Sequence, residues 1–236
     1  MNIREKQSIA LFLDTADDFL RDGYWRERTM HQWANVEERT LADKSADSLE
    51  RIAEEVRSCS DCGLRALRIL AAPGEGAPQP IVLVVGEAPG ADEDSVGRPF
   101  VGKAGQLLDK MLNSIGLSRQ TNCFIANTVK CRPPGNRDPL PDETAACGRF
   151  FSRQFALLQP KAVLCVGRIA VQTLLKTSEG IGNLRGKFFD YNGVPLIATF
   201  HPSALLRNES LKRPAWEDLK ALKTKLLSLV TGGAEA

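Results

Sequence analysis

Residues 81–109 read IVLVVGEAPGADEDSVGRPFVGKAGQLLD, a run that predicts a strand, a loop and a helix. Its first five residues are apolar and mostly β-branched, a composition typical of a buried strand. Gly86, Pro89 and Gly90 end that strand, because glycine and proline disfavour regular structure. Apolar residues at helical spacing over residues 103–115 then predict a helix. Open α/β folds place their ligands in loops of this kind, at the carboxyl ends of the strands.

The segment GRPFVGK, residues 97–103, is a near match to a phosphate-binding P-loop. Ala104 stands where a Ser or Thr hydroxyl would hold magnesium, and Pro99 lacks one of the N–H groups that would cradle a phosphate. The predicted strand also ends about ten residues before the motif, which is the wrong spacing for a P-loop. The sequence therefore does not predict a nucleoside triphosphatase, and we expect an activity that needs neither a nucleotide nor a catalytic metal.

Three further apolar runs predict strands over residues 123–129, 162–166 and 194–200. Helical patterns cover residues 48–56, 141–158, 168–176 and 214–229. Strands that alternate with helices form a parallel sheet covered on both faces. The sequence thus predicts a three-layer α/β/α domain around a central four-stranded, mainly parallel sheet. Its unusual loops all follow strands, so we expect them to converge on one site.

The chain of 236 residues is long enough for one such domain and an appendage. We predict a helical or flexible N-terminal appendage over residues 1–47, with a helix at 9–20, and a main domain over residues 48–232. The formal net charge of +2 neither requires nor excludes a nucleic-acid partner. No apolar run has membrane-spanning length and the N-terminus lacks a signal-peptide core, so the expected location is the cytoplasm, where structural disulfides are rare.

The six cysteines fall into two groups. Cys123 and Cys165 lie within predicted strands and are expected to be small buried hydrophobic residues. The other four form a C-x2-C pair and two later positions, one on a loop and one on a helix: Cys59, Cys62, Cys131 and Cys147. In a reducing compartment this set predicts metal ligation. Four thiolates suit a tetrahedral zinc or an iron–sulfur cluster, and their spacing does not choose between the two.

Four motifs together resemble the family 4 uracil-DNA glycosylases, the bacterial and archaeal iron–sulfur branch of that superfamily. They are GEAPGADED at 86–94, GRPFVGKAGQLLD at 97–109, NTVKCRPPGNRDP at 127–139 and HPSALLR at 201–207. The resemblance covers residues 59–229, and the cysteine pair upstream completes it. A related branch that cross-links covalently to uracil DNA carries a basic insertion with a histidine after the third motif. That insertion is missing here, which disfavours the cross-linking branch.

The resemblance implies a DNA repair enzyme that flips uracil out of DNA and hydrolyses its N-glycosidic bond, leaving an abasic site. The implied partner is uracil-containing DNA, single- or double-stranded, and the enzyme is expected to be a monomer associated with the nucleoid. The implied cofactor is a structural [4Fe–4S] cluster on Cys59, Cys62, Cys131 and Cys147. The main alternative is a catalytically silent module of the same fold that binds DNA or a protein partner. A metal-dependent hydrolase is disfavoured, because a site of four thiolates has no open position.

The resemblance also assigns roles to individual residues. The expected uracil-binding residues are Gly86, Glu87, Ala88, Phe100, Asn127 and His201. Phe100 would stack on the base, and the amide of Asn127 can pair with the uracil edge but not with that of cytosine. His201 would stabilise the departing uracil anion. Glu87 and Glu93 are the candidate carboxylates for activating water. Many other families hold an Asp or Asn at the position of Ala88, so the identity of the base stays open.

Contacts with the rest of the DNA are expected from residues that flank the same loops. Leu205 resembles the apolar wedge that fills the space left by the flipped nucleotide. Basic residues would contact phosphates. The principal candidates are Arg207, Arg132 and Lys103, and further basic residues near these loops are Arg98, Lys130 and Arg137.

Overall fold

A computed structural model describes residues 47–231 of the chain. The predicted appendage and its helix at 9–20 lie outside these residues, apart from Asp47 at its end. Within the described range, no helix is both long and apolar enough to cross a membrane. The architecture is the predicted three-layer α/β/α arrangement, but its sheet has six strands rather than four.

The strand order of the sheet is β1-β3-β2-β4-β6-β5. The strands are β1 (Glu75–Gly76), β2 (Val82–Gly86), β3 (Cys123–Asn127), β4 (Ala162–Val166), β5 (Phe188–Tyr191) and β6 (Val194–Thr199). The four predicted strands form the parallel centre, and the two additional strands pair antiparallel at its edges. In the central strands β2, β3 and β4 every residue is buried, as a parallel sheet with two covered faces requires.

The two edge strands escaped prediction because they are short and partly exposed. β1 has only two residues, and β5 alternates exposed and half-buried positions around Asp190. A signal for β5 was nevertheless present. Asn192 and Gly193 both have positive φ between β5 and β6, and Asn-Gly is the preferred pair for a two-residue hairpin turn.

The helices are α1 (Leu49–Ser58), α2 (Ala91–Val96), α3 (Lys103–Asn113), α4 (Pro141–Leu158), α5 (Arg168–Leu175), α6 (Ile181–Leu184), α7 (Pro202–Arg207) and α8 (Lys212–Thr231). Buried residues of α3 and α8 pack on one face of the sheet, and those of α4 and α5 pack on the other. The main helical predictions are confirmed within a few residues. The acidic segment after β2 forms α2, where the sequence predicted a loop, since Glu93 caps its first turn by accepting from the N–H of Gly90 at 3.0 Å.

The loops after β2 and β3 are joined by main-chain hydrogen bonds. The N–H of Thr128 donates to Gly86 at 2.9 Å, and that of Val129 donates to Glu87 at 3.1 Å. The Thr128 hydroxyl also donates to the carbonyl of Glu87, at 2.7 Å. These bonds extend the β2–β3 pairing past the ends of the strands. The residues of the two predicted motifs therefore share one rigid framework.

Candidate active site

Three residues meet at the carboxyl ends of β2 and β3. Gly86 and Asn127 are paired in the register of these strands, and the ring of Phe100 lies over them. A Cβ atom on Gly86 would stand 2.4 Å from Asn127 Oδ1 and 2.5 Å from Phe100 Cζ. Real Cβ atoms do not tolerate such distances, so only glycine lets the amide and the ring approach each other here.

Asn127 has an amide that is buried and unpaired. The residue is 1% exposed, and its Oδ1 and Nδ2 accept and donate no hydrogen bond within residues 47–231. Leaving a buried amide without partners costs about 1–3 kcal/mol, so such a group signals a place where a ligand completes the bonding. The ligand must present an acceptor beside a donor, which is the pattern of an imide edge.

Phe100 forms one wall of this pocket. Its ring centroid lies 5.6 Å from that of His201, with the two rings tilted by 33°. The backbone of Phe100 has a φ of 54°, in the left-handed region that non-glycine residues rarely adopt. Backbone strain of this kind clusters at functional sites, where the surrounding structure holds it.

His201 follows β6 and is the N-cap of α7. The N–H of Ser203 donates to His201 Nδ1 at 3.2 Å, and the Ser203 hydroxyl lies 2.8 Å from the same nitrogen. An Nδ1 that accepts a hydrogen bond leaves the proton on Nε2. Burial, together with the nearby charge of Arg207, lowers the pKa of His201 to about 4. The imidazole is therefore neutral at physiological pH and presents Nε2–H as a donor.

Glu87 directly follows β2 and is half-buried. Burial and, to a smaller extent, the negative charge of Asp138 raise the pKa of its carboxyl to about 7, against the opposing effect of Arg168. Asp138 and Arg168 are themselves joined by an ion pair of 2.5 Å. A carboxyl with a pKa near 7 is matched to proton transfer at neutral pH, because it accepts a proton readily and a substantial fraction of it is ionised.

Glu93, the second candidate carboxylate, is bound by main-chain N–H groups on both of its oxygens. Its Oε1 accepts hydrogen bonds from the N–H groups of Val101 at 2.8 Å and Gly102 at 2.9 Å, and its Oε2 accepts from Gly90. Both oxygens therefore brace the loop that carries Phe100. This arrangement favours a role in shaping the loop, and it leaves Glu87 as the better candidate for activating water.

The four predicted metal-ligating cysteines line one cavity: Cys59, Cys62, Cys131 and Cys147. All four are free thiols, and the last two are buried. Within the described part of the chain, no three Cys, His, Asp or Glu side chains are grouped to hold a metal ion. The four thiols therefore share one cavity, which the side chains of Val56 and Phe150 also line.

Two N–H groups already point at sulfurs of this cavity. Arg68 Nη1 donates to Cys131 Sγ at 2.8 Å, and the main-chain N–H of Lys130 donates to Cys147 Sγ at 3.3 Å. Burial raises the pKa of Cys147 to about 11, which the positive charge of Lys130 opposes. Donors directed at sulfur stabilise thiolates and are a usual feature of iron–sulfur sites.

The predicted DNA-contacting residues differ in accessibility. Leu205 is 2% exposed and packs in the interior, so the wedge prediction does not fit it, whereas its neighbour Leu206 is 49% exposed. Lys103 and Arg207 are exposed, and Arg132 is half-buried, with its Nε donating to the side chain of Asn136 at 2.8 Å.

Two basic residues that flank the loops form hydrogen bonds within the protein. Lys130 is buried, and its Nζ donates to the carbonyl of Asn127 at 3.0 Å and to Gln154 Oε1 at 2.7 Å. Arg137 forms a bidentate pair with Glu143, with bonds of 2.8 and 2.6 Å. Neither side chain is available for a phosphate in this arrangement.

Comparison with known proteins agrees with this geometry. Residues 73–220 match the sequence profile of the uracil DNA glycosylase superfamily. The chain belongs to the uracil-DNA glycosylase superfamily. Type-4 uracil-DNA glycosylases from Saccharolobus solfataricus and Sulfurisphaera tokodaii are each 42% identical to it, over 77% and 75% of this chain and 88% and 84% of their own lengths. The type-4 protein of Archaeoglobus fulgidus is 39% identical over 75% of this chain and 92% of its own. The predicted family is confirmed.

The glycosylase fold brings together most of the residues that the motifs predicted. The ring of Phe100 lies beside Gly86, Asn127 and His201, and Glu87 directly follows Gly86 in the chain. Ala88 lies beside them and also packs against the hydrophobic cluster around the cysteines. The prediction missed Arg119, whose guanidinium binds the loop that carries Phe100. Arg119 lies before β3, whereas the motif residues were sought in loops that follow strands.

Gly86→Ala tests the close approach at the base of this glycosylase pocket. The added methyl group must displace the Asn127 amide or the Phe100 ring, so we expect single-turnover excision of uracil from DNA to fall by about 100-fold. Gly182→Ala is the control, because a Cβ there meets nothing within 4 Å. It should leave the rate unchanged. Wild-type excision by Gly86→Ala would show that the pocket tolerates a side chain at this position.

Proposed function

We propose that this protein excises uracil from DNA by hydrolysing its N-glycosidic bond, and that residues of the pocket described above carry the reaction. The observation that carries the proposal is the buried, unpaired amide of Asn127, which lies at Gly86 beside the ring of Phe100. Type-4 uracil-DNA glycosylases that share about 40% of the sequence support the same activity. The substrate is a uracil nucleotide flipped out of the DNA stack, because the buried amide of Asn127 cannot reach a base that is still stacked.

Asn127 reads the base. Its Nδ2 donates to uracil O4 and its Oδ1 accepts from N3–H, a pattern that cytosine reverses. The flat ring of Phe100 stacks on the base, and Gly86 leaves the room that this stack needs. Recognition thus depends on the ligand satisfying an amide that the protein leaves without partners.

His201 and Glu87 act on the bond that breaks. The electrons of the C1′–N1 bond pass into the uracil ring, and the neutral Nε2–H of His201 stabilises the negative charge that develops on O2. A water molecule attacks C1′ of the sugar while the Glu87 carboxylate accepts its proton. The products are free uracil, which takes up a proton, and a deoxyribose with a hydroxyl group at C1′. No electron acceptor or nucleotide takes part.

A catalytically silent module is the second candidate, and the electrostatics favour the enzyme. Binding alone needs neither a carboxyl tuned to a pKa of about 7 nor a histidine kept neutral beside the pocket. Incubation with a uracil-containing oligonucleotide, followed by alkaline cleavage of abasic sites, separates the two. A silent module would bind the oligonucleotide and leave it intact.

The roles of Asn127 and His201 predict different kinetic defects. Loss of one donor to a developing anion costs roughly 100- to 1,000-fold in rate, so His201→Ala should lower single-turnover excision by that factor while DNA binding changes little. Asn127→Asp should lower the rate and also the discrimination against cytosine. Equal losses of binding and rate in His201→Ala would make that residue a docking group instead.

The pKa of Glu87 predicts a pH dependence. Glu87 must be ionised to accept a proton, so the single-turnover rate should rise as pH increases through about 7 and then level off. His201 contributes no change in this range, because its lowered pKa keeps it neutral. Glu87→Gln should be slow and should lack the rising limb. A wild-type profile that is flat between about pH 5.5 and 8 would contradict this role.

We propose that Leu206, the exposed apolar residue of α7, is the wedge that enters the duplex in place of the buried Leu205. Unstacking a base costs a few kcal/mol in duplex DNA and less in a single strand. Leu206→Ala should therefore slow excision from double-stranded DNA by roughly 10-fold and barely affect single-stranded DNA. The Leu205→Ala variant should instead lose about 2–5 kcal/mol of unfolding free energy. Equal effects of Leu206→Ala on both substrates would exclude a wedge.

We propose that the cavity lined by Cys59, Cys62, Cys131 and Cys147 holds a [4Fe–4S] cluster. One cavity lined by all four thiols, with N–H donors aimed at two of them, supports this proposal, and the choice of a cluster over zinc rests on the family resemblance. When bound, the cluster acts as a structural cross-link between the segment before β1, the loop after β3 and α4.

Cys131→Ser should lower the iron content, the visible absorbance and the melting temperature of anaerobically purified protein, because cluster binding is coupled to folding. Cys165→Ala is the matched control, since this thiol is buried in β4 away from the cavity. It should retain iron. Protein that is colourless and binds one zinc per chain would overturn the assignment.

A further inference from the structure

The left-handed backbone at Phe100 must be held by its surroundings, because residues with a side chain rarely adopt this conformation. The carbonyl oxygen of Phe100 lies so close to α3 that a Cβ on Gly105 would stand 1.9 Å from it. Gly105 thus makes room for the main chain of Phe100 against α3. The carbonyl groups of the loop still need hydrogen-bond donors. Two of them, on Pro99 and Phe100, point at the same buried guanidinium.

That guanidinium belongs to Arg119, in the connection between α3 and β3. Its Nη1 donates to the carbonyl of Pro99 at 3.0 Å, and its Nη2 donates to that of Phe100 at 2.9 Å. Its Nε donates to Asp109 Oδ1 at 2.9 Å, and Nη1 also pairs with Glu75 Oε1. Carboxylates from α3 and β1 thus fix the guanidinium, and the guanidinium fixes two successive carbonyls of the loop.

We infer that Arg119 is a positioning residue for uracil excision, which acts by holding Phe100 in the orientation that stacks on the base. The inference rests on the proposed role of Phe100. Arg119 approaches from outside the pocket, and its bonds are to the main chain of the loop, not to the base. Lysine cannot replace it, because one ammonium group lacks the planar fork that binds two carbonyls and two carboxylates together.

A double-mutant cycle tests this inference. Arg119→Lys should lower single-turnover excision by roughly 10- to 100-fold in the wild-type background, the cost of misplacing a reacting group by about 1 Å. In the Phe100→Ala background the same substitution should change the rate by less than about 3-fold, because no ring remains to be positioned. Inhibition by free uracil should weaken in parallel in Arg119→Lys. The loss of melting temperature should be similar in both backgrounds.

Two further variants distinguish a loss of positioning from a folding defect. Asp109→Asn removes one anchor of Arg119 at a side chain that is 40% exposed, so it should fold and show a smaller loss, about 2- to 5-fold, with the same dependence on Phe100. Arg153→Lys is the control, since Arg153 joins α4 to Glu55 of α1. It should leave the rate unchanged.

The outcomes separate this inference from the assignment on which it rests. Unchanged excision in Phe100→Ala would overturn both the stacking role and the role of Arg119. A slow Phe100→Ala, combined with equal fold losses for Arg119→Lys in both backgrounds, would leave the stacking role intact and overturn the inference. Arg119 would then contribute only to global stability.

Discussion

The site depends on one missing side chain, that of Gly86. At the end of β2 the strand must turn without filling the space that Asn127 and Phe100 occupy, and any Cβ there collides with both. Because Gly86 and Asn127 are paired in the parallel register, the sheet itself sets their separation. The proposed uracil site therefore lies at the ends of two strands in which every residue is buried.

Burial gives the two candidate catalytic groups opposite and complementary properties. For a carboxyl group, removal from water favours the protonated form and raises the pKa of Glu87, whereas for an imidazole it favours the neutral form and lowers the pKa of His201. The first becomes a base with useful strength near neutral pH. The second becomes a hydrogen-bond donor without a full charge, and the Ser203 N–H at Nδ1 fixes which nitrogen donates. Burial thus makes Glu87 a stronger base and keeps His201 neutral.

The sequence could predict that Asn127 and His201 lie at one edge of the sheet, because each stands at the carboxyl end of a strand and parallel strands end at the same edge. It could not predict roles that depend on side-chain direction or distant main-chain partners. Burial of Leu205 rather than Leu206 is decided by the rotation of a six-residue helix, which is too short to show a period. Glu93 accepts hydrogen bonds from three main-chain N–H groups, and only the folded loop brings these groups to its carboxylate.

The cysteine cavity and the base-reading pocket are connected through Lys130. Its main chain contacts Cys147 Sγ, and its buried ammonium group donates to the carbonyl of Asn127, the residue that ends β3. Gln154 accepts from the same ammonium group and donates to the carbonyl of Pro73, so this link spans α4 and the segment before β1. A buried cation is costly unless it is bonded in this way. A hydrogen-bonded path through Lys130 therefore joins the cysteine cavity to the end of β3.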